Sequence, residues 1–85
     1  MSRPTPHPTV THLDARGLLC PLPVIRVQDR VATLRPGALL EVRCTDPGAL
    51  NDVPAWCRIH GHTVLKASEH GDEVVIRLQV GGRAP

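Results

Sequence analysis

Cys20, Pro21, Leu22 and Pro23 are the residues of this chain whose types and order point most directly to chemistry. Proline is tolerated in the first turn of a helix, where its missing N–H has no intrahelical acceptor to lose. Prolines at 21 and 23 therefore open a helix, with Cys20 at its start. The free amides and the dipole at a helix start are equivalent to roughly half a positive charge and favour an anion beside them. A thiol so placed commonly has a pKa of about 3.5 to 7.5, and the thiolate is the form that attacks another sulfur. No second cysteine follows at the spacing of a dithiol motif, so a resolving thiol is missing locally. A lone activated cysteine of this kind is able to take a sulfane sulfur from a donor persulfide and hold it as Cys–S–SH, without collapsing into an internal disulfide. The same pattern fits a small buried residue at a helix start, and residue types alone leave both readings open.

The other two cysteines read as structural. Cys44 shares one face of a strand with Leu40 and Val42, and Cys57 lies mid-helix beside Trp56. Cys20, Cys44 and Cys57 contain no short ligand pair of the kind a zinc site uses, so no metal is expected. A redox bridge between Cys20 and Cys57 is a further reading, and it would show as a reducible internal disulfide. His12, His60 and His62 suit surface or proton-transfer roles, and nothing in the sequence selects one of them.

The elements that must position Cys20 follow from hydrophobic period and turn chemistry. Residues 10–15 read as a short strand, followed by a turn at Gly17. Val24, Val27, Val31 and Leu34 then recur at spacings of three and four, one apolar stripe of a helix that Pro36-Gly37 ends. Leu40, Val42 and Cys44 alternate with Glu41, Arg43 and Thr45, the mark of a strand covered on one face. Asp46-Pro47 reads as an N-cap and first helical position. Because Pro54 would damage a helix begun there, a turn is expected over 47–51 and a helix over 52–60 capped by Asp52 and stopped by Gly61. Residues 62–68 and 73–80 form two more strands around a His70-Gly71-Asp72 turn.

The order is β-α-β-α-β-β. The expected fold is an α+β two-layer sandwich, with a four-stranded mixed sheet carrying both helices on one face. Residues 9–81 make a single domain between a Pro-rich tail at 1–8 and a short tail at 82–85.

Composition narrows the function classes. Trp56 is the one aromatic residue apart from the histidines, so the core is aliphatic and the surface lacks aromatics on which bases could stack. A formal charge of +2 is too small a surplus to argue for nucleic-acid binding. Three cysteines cannot all pair within one chain, which fits reduced thiols in a cytoplasmic setting. Neither a signal peptide nor a run near the ~18 apolar residues of a membrane span is present, so no membrane partner is expected.

Leu13-Asp14-Ala15-Arg16-Gly17-Leu18-Leu19-Cys20-Pro21-Leu22-Pro23-Val24 resembles the signature of the TusA/SirA family of sulfurtransferases, in which a Cys-Pro-x-Pro motif opens the first helix. A second stretch, Thr45-Asp46-Pro47-Gly48 through Asp52-Val53-Pro54-Ala55-Trp56-Cys57 to Gly61-His62, is similar to that family at the matching place. The resemblance implies a fold like the C-terminal domain of translation initiation factor three. It makes Cys20 the persulfide carrier, with no cofactor beyond the covalently held sulfur. Pro21, Pro23, Asp14 and Arg16 are then supporting residues, with Arg16 stabilising the anionic sulfur or meeting an acidic partner. Sulfur would arrive from a cysteine desulfurase or a rhodanese-like donor and leave to an acceptor sulfurtransferase, for tRNA thiolation, molybdenum cofactor assembly or sulfur oxidation. The alternative is a non-catalytic regulatory or RNA- or protein-binding module of the same fold.

Overall fold

In β1, Val10–Ala15, Leu13 and Ala15 are buried while His12 and Asp14 are exposed, the period-two alternation of a strand covered on one side. These positions come from a computed structural model, which describes residues 9–82. The expected tail at 1–8 and residues 83–85 of the expected tail at 82–85 lie outside the described residues, and Gly82 belongs to no strand or helix. After β1, Gly17 adopts φ +79° and donates its N–H to Thr45 Oγ1 at 2.8 Å. That turn aims the chain at Cys20.

The first helix, α1, spans Leu22–Val31. Pro21 is its N-cap and Pro23 its second residue, so Cys20 stands one residue outside the helix, and the Cys20–Pro21 peptide is cis. The helix stops earlier than its apolar stripe suggests. Thr33 and Leu34 donate their N–H groups three residues back, to Arg30 and Val31, and the Thr33 hydroxyl also donates to the Arg30 carbonyl at 2.7 Å. A hydroxyl that bonds nearby backbone competes with the helical ladder, and Arg35 before Pro36 is barred from continuing it.

The second strand, β2, spans Leu39–Cys44, and the second helix, α2, spans Ala49–Ile59. The expected turn over 47–51 is thus partly helix, and Pro54 lies inside it. The first turn forms through tight bonds three residues back, from Ala49 to Asp46, Leu50 to Pro47 and Asn51 to Gly48. Pro54 removes one later donor, and its ring is buried on the helix's inner face, where burial offsets the lost bond. Gly48 is the N-cap, so neither Asp46 nor Asp52 is. At the other end Gly61, with φ +81°, and the His62 N–H bonded to the Cys57 carbonyl at 2.8 Å form the left-handed stop the glycine signalled.

Two last strands, β3 (Thr63–His70) and β4 (Glu73–Gln79), complete a sheet of order β1-β2-β4-β3. β1 and β2 are parallel, and β4 runs antiparallel to both β2 and β3. This is the expected α+β two-layer arrangement. Leu40, Val42, Ile76 and Leu78 are fully buried under Val27 of α1 and Val53 and Cys57 of α2. Burying each such aliphatic chain contributes about 1.5–3 kcal/mol. On the open face Glu41 accepts from its cross-strand neighbour Arg77 at 2.6 Å and lies 3.5 Å from His12.

Candidate functional site

Parallel pairing of β1 with β2, in which Ala15 faces Cys44, brings the loops after both strands to one end of the sheet. Cys20 lies on the first of these loops and Asp46 on the second. The Cys20 N–H donates to Asp46 Oδ2 at 2.7 Å, while Asp46 Oδ1 accepts from the Gly48 N–H at 3.0 Å. One carboxylate therefore fixes the backbone of the cysteine against the start of α2. From the first turn of α2, Asp52 Oδ2 accepts a hydrogen bond from Cys20 Sγ at 3.1 Å.

The sulfur is open to solvent, as Cys20 is the exposed thiol among three free cysteines. Leu19 beside it in the chain and Leu22 and Ile25 in the first turn of α1 are exposed apolar residues, by 72%, 44% and 43%. Pro23 is buried and holds the helix start against the sheet, whereas Pro21 is exposed beside Cys20.

The electrostatics correct one expectation. Pro21 and Pro23 have no N–H, and Leu22 donates its own to the Leu19 carbonyl at 2.8 Å, so three of the four helix-start positions offer the sulfur nothing. Asp52, by accepting from the thiol, raises the Cys20 pKa above its ordinary value, and desolvation and the charges of Asp52 and Asp46 add to this. This arrangement favours the protonated sulfur over the thiolate. Burial pushes Cys44 and Cys57 up to about 11.

Asp14 and Arg16 form a pair of their own. The Arg16 guanidinium donates to both Asp14 oxygens, at 2.9 and 3.0 Å, and lies 3.5 Å from Glu73 on the open face. Its partners are thus carboxylates of the sheet, and the expected contact with the sulfur is not what this geometry provides. The pair instead stiffens the end of β1 that leads into the Cys20 loop. The Arg16 side chain and backbone N–H, both bonded to Asp14, hold that carboxyl at about 2.

The imidazoles lie elsewhere. His12 faces Glu41, and His60 and His62 flank the Trp56 ring at centroid distances of 4.9 and 5.0 Å. Those rings, with Val31 and Leu34, border an open cleft of about 340 Å³ at the far end of both helices from Cys20. Among the described residues no group of three His, Cys, Asp or Glu is arranged to hold a metal ion.

Asp46 and Asp52 are the residues that reading along the chain misses as partners of the thiol, 26 and 32 positions away from it. Along the chain both read as helix caps, which hides their role at the thiol. The usable signal is topological, because loops that follow neighbouring parallel strands must meet at the same sheet end.

Residues 11–80 match the family model described as Sulfurtransferase TusA. The chain belongs to this family. YrkI of Bacillus subtilis is 42% identical over 69 residues, which cover 81% of this chain and 92% of that one. The sulfur carrier protein TusA of Pseudomonas paraeruginosa is 43% identical over 63 residues, 74% of this chain and 80% of its own. A crystal structure of a SirA-like protein from Desulfitobacterium hafniense superposes with a TM-score of 0.73, at 20% identity over 86% of this chain and 99% of that one. That likeness concerns the fold. Among the described residues no helix is long and apolar enough to cross a membrane.

Proposed function

We propose that this TusA-family chain is a sulfur carrier that holds a sulfane sulfur as a persulfide on Cys20 and passes it to an acceptor protein. The observation that carries the reading is that Cys20 is the exposed thiol, anchored through its own backbone N–H by Asp46, while Cys44 and Cys57 are buried. Cys20 Sγ attacks the terminal sulfur of a donor persulfide. A new Sγ–S bond forms, the donor's S–S bond breaks, and the donor leaves as a thiol carrying the proton Cys20 gave up. Delivery repeats this exchange with the acceptor's thiol as the attacking group. No oxidant or reductant enters, and the held sulfur is the only group the protein carries.

The exposed apolar side chains of Leu19, Leu22 and Ile25, next to Cys20 along the chain, suit protein partners rather than a free small molecule. The donor is then a cysteine desulfurase or rhodanese-like protein and the acceptor another sulfurtransferase, in a cytoplasmic relay toward tRNA thiolation, molybdenum cofactor assembly or sulfur oxidation. Intact-mass measurement after incubation with a persulfide donor tests the reading. The wild type gains one sulfur that reduction removes, and Cys20→Ser gains none. A wild type left unmodified by both donor classes would contradict it.

A further inference from the structure

The charged groups nearest the Cys20 sulfur are both acids, Asp52 from α2, whose Oδ2 lies 3.1 Å from Sγ, and Asp46 from the loop before α2. No cation of α1 balances them in the hydrogen bonds of the site. Resting on the carrier reading above, we propose that the Asp52 carboxylate loosens the hold of Cys20 on a sulfane sulfur, favouring the empty carrier over the loaded one.

Two effects act in the same direction. In the empty protein the thiol proton bridges Sγ and Asp52 Oδ2, a hydrogen bond to a charged acceptor. In the loaded protein Sγ is bonded to carbon and to sulfur, has no proton, and loses that bond. The outer sulfur now carries the proton, and a persulfide is a stronger acid than the parent thiol. Its anion sits one S–S bond, about 2.05 Å, beyond Sγ and faces a carboxylate of like charge. Asp52 thus stabilises the empty state and destabilises the loaded one. A carrier built this way releases its cargo readily.

The test is the exchange equilibrium with glutathione persulfide at neutral pH, read by mass as loaded over empty Cys20. In each exchange the Sγ–S bond forms, the glutathione S–S bond breaks, and glutathione leaves as the thiol with the proton from Cys20. Asp52→Asn and Asp52→Ala are expected to raise the loaded-to-empty ratio by about tenfold, the scale of one hydrogen bond to a charged group. Asp72→Asn, on the β3–β4 turn, matches wild type. Equal or lower ratios in both Asp52 variants overturn the role of Asp52 alone, whereas a wild type that takes up no sulfur overturns the carrier reading and this proposal with it. A second readout needs no sulfur uptake. The pH midpoint of Cys20 alkylation by iodoacetamide falls in both Asp52 variants, and an unmoved midpoint overturns the proposal.

Discussion

A thiol that donates to a carboxylate is a poor nucleophile at rest, and a chain with Cys20 so placed relies on exposure and fixed backbone more than on a permanent thiolate. The motif cysteine and its place before a helix were legible in the residue types, whereas its exposure was not, because a small buried residue fits the same pattern. Nor was its ionisation, because the deciding group, Asp52, arrives through tertiary structure and the prolines remove the amides that would have opposed it. Asp14 shows the opposite balance, since Arg16 depresses its pKa to about 2. A depressed folded pKa contributes stability that is complete above the unfolded value of about 4 and is lost as pH falls through the folded one. The stability difference between wild type and Asp14→Asn, followed by urea unfolding, is therefore expected to shrink between about pH 4 and pH 2 and to vanish below. The pair is exposed, so the difference is small, and one that persists unchanged below pH 2 would contradict this account.

The succession of strands and helices and the Gly61 stop could be read along the chain because each depends on local period and turn chemistry, whereas the order of the strands within the sheet is set by tertiary pairing. The starts and ends of the helices could not be read there either, and the reasons are specific. Pro54 argues for a late start to α2, yet a tight first turn beginning at Ala49 and burial of the proline ring outweigh the lost bond. Leu34 keeps the apolar stripe of α1, yet the Thr33 hydroxyl and Pro36 end the helix before it reaches that residue. Closure of the sheet against α2 was likewise invisible, because it depends on backbone approach. A Cβ on Gly81 would stand 1.9 Å from the Gly61 carbonyl oxygen. Gly81→Ala is thus expected to separate the end of β4 from the α2 stop and to cost about 1–3 kcal/mol, read from the urea midpoint. An unchanged midpoint would show that these two segments do not meet.

At the scale of the whole molecule, the sheet and helices sort three chemically identical thiols into one exposed and two buried. Burial raises Cys44 and Cys57 from 9.0 to about 11. A raised folded pKa gives stability that is complete below the unfolded value and lost as pH climbs through the folded one. Stability should therefore decline between about pH 9 and pH 11, by roughly 1.4 kcal/mol per pH unit for each thiol ionised only in the unfolded chain. The chain has no tyrosine and a single lysine, Lys66, so few other groups titrate there. Urea midpoints measured in reductant across that range should fall, and more gently in Cys57→Ala. The same sorting decides where sulfur can reside. Peptide-level mass mapping of the wild-type chain after exposure to a persulfide donor reads this directly. All of the added sulfur is predicted on the peptide bearing Cys20, with none on those bearing Cys44 or Cys57, and sulfur distributed over the buried cysteines, or absent from Cys20, would contradict the account.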